Sequence, residues 1–230
     1  MTNLYYSFTV QQYSTPIPDV VWEKPIPLIK DIASHYKNYP NFKRLMMCPS
    51  FRDSVNNTYV IKSPIDMDFT WDQDSTPIIE SSSDRGGRLI SHDLYPHMEL
   101  FIDNQPLFIA DSSLTMKVLP PFMHEDSPRY PFLGGQLDVG KWYRPVHPTF
   151  LMHRGECLNI KRGQAMMYVQ FDKKVTLKRF RYTPELDREL KGLIDARTFL
   201  QVRSMKDCYD FLAKSKRKKF VFNEIKKNLL

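Results

Sequence analysis

Residues Asp66-Met67-Asp68-Phe69-Thr70-Trp71 alternate without a break. Met67, Phe69 and Trp71 fall on one side of an extended chain; Asp66, Asp68 and Thr70 fall on the other. A period of two is what a strand with one buried and one wet face requires. A helix, with its period of 3.6, would scatter the three apolar residues around its axis. The segment places the chain in the β class, and its neighbours extend that reading.

Upstream, Thr58–Lys62 follows the turn pair Asn56-Asn57 and reads as a strand. Tyr5–Val10 reads as the first strand, before the loop Thr15-Pro16-Ile17-Pro18. One helix is expected in the first half, over Pro27–Lys37, where Leu28, Ile29, Ile32 and Tyr36 recur at helical spacing. Tyr39-Pro40-Asn41 ends it. Downstream, strands are expected at Pro77–Ser81, Met98–Asp103, Leu107–Ala110 and around Leu114, Met116 and Val118. After a Pro-rich loop from Leu119 to Pro131 come Gln136–Val139, Thr149–His153, Cys157–Ile160, Ala165–Phe171 and Val175–Phe180. Short strands at this spacing imply a sandwich or barrel rather than βαβ units.

The pattern changes after Arg181. Thr183-Pro184-Glu185 has the form of a helix start, with Thr as N-cap and Pro in the first turn. Leu186, Leu190, Leu193 and Ile194 form an apolar stripe, and Ser204-x-x-Asp207 offers a second cap. The stripe breaks over Lys214–Lys219 and resumes at Phe222, Ile225 and Leu229. This reads either as one long helix with a wet middle or as two helices broken near Ser215. The expected fold is mainly β, α+β overall. An antiparallel β-sandwich or barrel-like domain with one N-terminal helix spans residues 1–182, and a basic helical segment spans 183–230.

Composition agrees. Hydrophobic residues make up 42% and aromatics 13%, enough for a core and too much for disorder. Gly is scarce, at 8, while Pro numbers 17, so turns must rest on Pro, Asn, Asp and Ser. The three cysteines, Cys48, Cys157 and Cys208, form no C-x-x-C pair and read as buried thiols rather than zinc or disulfide partners. Neither a signal peptide nor a membrane span is expected, which suggests an intracellular protein.

Charge is segregated. From Gln201 to Leu230, nine Lys/Arg face three acids, which accounts for +6 of the chain's +7. Any acidic partner is therefore expected at the tail. Lys214, Lys216, Arg217, Lys218 and Lys219 would meet phosphates, with Phe220 and Phe222 beside them to stack on bases. Acidic protein surfaces would satisfy the same charge.

Other candidates are sparser. Ser83-Asp84-Arg85-Gly86-Gly87-Arg88 offers backbone amides and the guanidinium groups of Arg85 and Arg88 to an anion. His92, His97 and Glu99 are the nearest approach to a metal cluster, His97 and Glu99 sharing a strand face, but no further ligand is evident. His147 and His153 could pair with Asp138 across a sheet. Phosphate-cradling and dinucleotide motifs and a G-x-S-x-G elbow are absent, so no cofactor is expected.

Several blocks together resemble an uncharacterised family of tailed-phage accessory proteins. They are the Lys-Pro and short helix ending in Tyr36-Lys37, Cys48-Pro49-Ser50-Phe51-Arg52-Asp53, Tyr59-Val60-Ile61-Lys62-Ser63-Pro64-Ile65-Asp66, Gly134-Gly135-Gln136-Leu137-Asp138, Ile160-Lys161-Arg162-Gly163-Gln164 and Tyr168-Val169-Gln170-Phe171. The resemblance implies a viral origin, in the host cytoplasm or the virion; the missing catalytic set and the segregated charge suggest a non-enzymatic virion or accessory protein that binds a viral or host protein or a nucleic acid. A second likeness is to the β-clip deoxyuridine triphosphatases, in which a Gly-x-x-Asp is followed by an aromatic. Gly135, Asp138 and Tyr143 would be the counterparts, with Asp138 positioning water, Tyr143 stacking, and Arg85, Arg88 and Arg144 holding phosphates. That alternative implies a nucleoside triphosphate pyrophosphohydrolase, homotrimeric and magnesium-dependent. The Asp138-to-Tyr143 spacing is longer than in that family, and its Arg-Ser motif and glycine-rich arm are missing.

Overall fold

A computed structural model describes residues 2–8, 22–70, 78–80, 87–91, 97–102, 105–126, 131–141, 143–151, 155–190, 207, 210, 214 and 216–230, with the backbone alone at 69, 70, 78–80, 87–91, 97–102, 216 and 217. The architecture is sheet-rich. Strand β1 (Thr2–Phe8) lies between β8 (Pro106–Ala110) and β14 (Val175–Arg179). A five-stranded sheet runs β10 (Gly135–Asp138), β9 (Thr115–Leu119), β13 (Ala165–Phe171), β3 (Thr58–Lys62) and β2 (Ile26–Pro27). A four-stranded sheet runs β11 (Thr149–Leu151), β7 (His97–Ile102), β6 (Gly87–Ser91) and β5 (Ile78–Glu80). Strands β4 (Met67–Thr70) and β12 (Cys157–Ile160) pair by themselves.

Alternation explains how the sheets share one core. In β1, Leu4 and Tyr6 join Phe108 and Ala110 of β8 in the main cluster, with Ile61, Met67, Met116, Met167 and Val169 from the other sheets. The intervening Tyr5, Leu107 and Ile109 point the opposite way, into a second cluster under the C-terminal helices. Strand β13 repeats the arrangement, with Val169 in the main core and Ala165 and Tyr168 beneath α1 (Leu28–His35). Strands buried on both faces read as continuous apolar runs, as Leu107–Ala110 and Ala165–Val169 do.

Three expectations are corrected. Among the described strands all pairings are antiparallel except β1 with β14, which is parallel from Thr2↔Val175 to Tyr6↔Arg179. Among the described residues no sheet closes into a barrel; β1 and its neighbours stop at three strands. The described part of the N-terminal half holds three helices rather than one. Besides α1 there are α2 (Phe42–Met47) and α3 (Pro49–Ser54). Pro40 and Pro49 punctuate the sequence as loops do. Yet Pro49 sits in the first turn of α3, where its missing N–H costs no hydrogen bond.

Two of the three cysteines also differ from expectation, and Cys208 lies outside the described residues. Cys48 and Cys157 are exposed. Cys48 lies between two short surface helices, and Cys157 occupies an outward position of the eBeB pattern in β12.

The tail packs against the body. A helix over residues 184–190, α4, starts where Thr183 Oγ1 accepts the Leu186 N–H at 3.2 Å. Helix α5 (Lys216–Lys227) buries Val221, Phe222 and Ile225 against Tyr5, Tyr143 and Phe180. The second cap at Ser204 and the break at Ser215 lie outside the described residues. Among the described residues no helix is long and apolar enough to cross a membrane.

Candidate functional site

The basic surface is built from α5 outward. With Val221, Phe222 and Ile225 committed to the core, Lys219, Lys226 and Lys227 face solvent, as does Lys214. Lys218 is half-buried: its Nζ donates to Gly140 O at 3.3 Å and lies 5.8 Å from the Phe222 ring centre. It is a packing lysine as much as a charge. The side chains of Lys216 and Arg217 lie outside the described residues.

A backbone clasp enlarges the patch. Leu230 N–H donates to Arg179 O at 3.0 Å, Arg181 N–H donates to Asn228 O at 2.8 Å, and Phe180 bridges to Leu229. The clasp sets the exposed Arg179 and Arg181 beside the C-terminal end of α5, where Lys226 and Lys227 stand. Lys227 is held by Glu224 at 2.6 Å. Sequence reading confined the charge to the tail; the two arginines join it through β14.

The Asp138 region is organised as a loop brace. Asp138 Oδ1 accepts the N–H groups of Leu114 (3.1 Å) and Gly140 (2.9 Å), and Oδ2 accepts Ser113 Oγ–H (2.8 Å). A Cβ at Gly140 would stand 2.3 Å from Ser112 O, so only glycine fits there. Tyr143 is buried, donates to Gly140 O at 3.2 Å, and has its hydroxyl pushed up to about 12 by burial, with Asp138 adding to the effect. Arg144 and His147 are half-buried.

Arg85, His92 and His153 lie outside the described residues, and Arg88, His97 and Glu99 are described by backbone alone. Glu99 is paired with Thr149 and Ile90, and His97 with Leu151, in the four-stranded sheet. Among the described residues no group of three His, Cys, Asp or Glu is placed to hold a metal.

The structure assembles a cluster that sequence reading missed. His124 Nε2 lies 2.6 Å from Asp31 Oδ2, and its Nδ1 lies 2.6 Å from Tyr168 Oη. Tyr168 Oη accepts the Met123 N–H at 3.1 Å, and Lys62 Nζ reaches Asp31 Oδ1 at 2.7 Å. Asp31, His124 and Tyr168 are all buried. One assignment leaves no group short of a partner: Tyr168 O–H donates to Nδ1, Nε2–H donates to the Asp31 carboxylate, and the ring is neutral. Burial drives the Asp31 carboxyl upward, but the hydrogen bonds from His124 and Lys62, with the Lys62 charge, outweigh it and hold the group below its ordinary value. Burial raises the Tyr168 hydroxyl. Both nitrogens of His124 are engaged, so in this state the ring is an internal strut with no nitrogen turned to a substrate. No motif announces the cluster, because its members stand 93 and 44 residues apart.

His124 also forms the back of an open cleft of about 530 Å³, lined by Tyr36, Tyr39, Phe42, Leu45, Phe122 and Glu125 among others. Tyr36, Tyr39, Phe42 and Leu45 recur every third residue. The N–H of Tyr39 donates to Tyr36 O and that of Phe42 to Tyr39 O, the tight turns in which side chains at i and i+3 lie one above another. The row is fixed from below by Tyr36 Oη donating to Met123 O at 2.8 Å. On the other side of His124, a polar hollow of about 270 Å³ is walled by Asp31, Lys62, Asp126, Lys161 and Arg162 among others. Comparison with known protein families, with curated proteins and with solved structures finds no match to this chain.

Proposed function

We propose that the chain is a non-catalytic accessory protein of the tailed-phage type that holds nucleic acid on the cationic face of α5. The carrying observation is that the apolar side of α5 is spent in the body's core while Lys219, Lys226 and Lys227 of α5 and Lys214 just before it remain outside, with Arg179 and Arg181 beside the Lys226–Lys227 end. Cations fixed on a rigid scaffold meet the regular charge of a phosphate backbone without first having to be ordered. We take the scaffold to be a β-sandwich, a reading supported by the main core cluster to which strands of several sheets contribute. The host cytoplasm or the virion is the setting that the sequence resemblance suggests. The nucleotide-hydrolase alternative gains no supporting observation, since three donors already occupy the Asp138 carboxylate.

The test is salt-dependent binding of the full chain to labelled single- and double-stranded DNA. Removing the tail would strip the cover from Tyr5, Leu107 and Phe180, so the comparison uses substitutions. Lys214→Glu, Lys219→Glu and Lys226→Glu together should lower affinity, with the salt slope falling by about one for each phosphate that is no longer neutralised. Reversing the exposed Lys173 and Lys174, at the opposite end of β14 from Arg179, should change little. Equal weakening in both variants, or no binding at low salt, overturns the proposal. Binding confined to acidic proteins would reassign the surface to that partner.

A further inference from the structure

The aromatic cleft beside His124 does not figure in that function, and its chemistry is specific. Tyr36 and Tyr39 stand with ring centres 5.2 Å apart and planes at 72°, and Tyr36 and Phe42 lie 6.3 Å apart at 31°. Phe122 closes the opposite wall, braced edge-on against Tyr168 at 5.2 Å. Tyr39 is 55% exposed and Phe122 58% exposed, so two large rings stand uncovered across one hollow. Glu125 supplies a carboxylate at the rim, and no Lys or Arg is among the described lining residues. His124 adds no charge in the state its hydrogen bonds select. Among the described lining residues the negative character comes from ring faces and one carboxylate.

We propose that this cleft is a binding site for an organic cation of the quaternary ammonium class. Ring faces carry the negative part of the aromatic quadrupole, and rings set at an angle to one another can turn more than one face toward a charged head. A trimethylammonium group suits them because its charge is spread under an apolar shell, whereas a primary ammonium is a compact, strongly hydrated charge. The volume is in the range of small-molecule sites. The carboxylate's reach into the cleft is felt at Tyr36, whose hydroxyl is raised by burial first and by the Glu125 charge second.

The test is calorimetric titration of the full chain with choline, with its uncharged isostere 3,3-dimethylbutan-1-ol, and with a short peptide bearing trimethyllysine. Choline or the peptide should bind saturably, and the isostere about tenfold or more weaker. Tighter binding of the peptide would assign the cation to a protein side chain, and tighter binding of choline to a free solute. Tyr39→Ala and Phe122→Ala, both at exposed rings, should each weaken binding about tenfold, and Glu125→Gln should weaken it severalfold. Circular dichroism should show each variant folded. Equal affinity for choline and the isostere, no saturable binding of either cation, or unchanged affinity in the two ring variants overturns the proposal.

Discussion

Two aromatic-rich regions of this molecule have opposite fates. Beneath α5, Tyr5, Tyr143, Phe180 and Phe222 are buried, with Tyr5 and Phe222 in edge contact at 5.9 Å. Around α1 and α2, Tyr36, Tyr39, Phe42 and Phe122 form an open row in which Tyr39 and Phe122 stay largely in solvent. The tail supplies a cover for the first region. Nothing among the described residues covers the second, and a buried polar chain, Asp31–His124–Tyr168, supports it from behind. Covered rings act as core; uncovered rings on a rigid polar strut are available to a ligand.

The sharpest way to break this contrast is to cut the strut. Asp31→Asn leaves Lys62 without its counter-charge and removes an acceptor from His124. It should cost about 4 kcal/mol, read as the drop in urea unfolding free energy. A drop below about 1 kcal/mol would mean the polar chain is dispensable. On the covered side, Ile225→Ala empties a fully buried site and should cost about 3 kcal/mol in the same assay. If Ile225→Ala is silent, the tail does not act as cover.

Acid should separate the two regions further. Asp31 has a folded-state value depressed below its ordinary 3.8, so its contribution is fully present above that pH and fades as pH falls through the folded value. The gap between wild type and Asp31→Asn should be flat above about pH 4 and close below it, whereas the Ile225→Ala gap should not follow this group. The smallest effect is expected at the open row, where Tyr39→Ala should shift stability by no more than about 0.5 kcal/mol. A larger shift would make Tyr39 a packing residue and weaken its assignment to a ligand.

Much of the sheet content was legible because alternation is a local signal. The segments at Thr58–Lys62, Cys157–Ile160 and Ala165–Phe171 emerge as strands with those bounds. The parallel pairing of β1 with β14 was not legible, since no short-range pattern links Thr2 to Val175. Helices α2 and α3 hid behind Pro40 and Pro49, which read as loop signals although Pro49 opens α3. For the site, the three-residue recurrence of Tyr36, Tyr39 and Phe42 stood in the sequence, but Pro40 made it read as a helix end. The Asp31–His124–Tyr168 chain left no trace at all, because only the folded sheet brings a helix, a loop and a strand together. The basic tail was visible as composition, while the joining of Arg179 and Arg181 to it needed the backbone clasp.

The parallel partnership of β1 and β14 has a consequence in time. Ser7 Oγ–H donates to Phe180 O, 173 residues further along the chain. On a translating ribosome at about 5–20 residues per second, β1 waits roughly ten to thirty-five seconds before that partner is made. Through that interval one edge of β1 has no native strand to pair with, and Tyr5 has no helix above it. Until then β1 is open to strand exchange and chaperone capture, and the arrival of β14 and α5 ends that vulnerability.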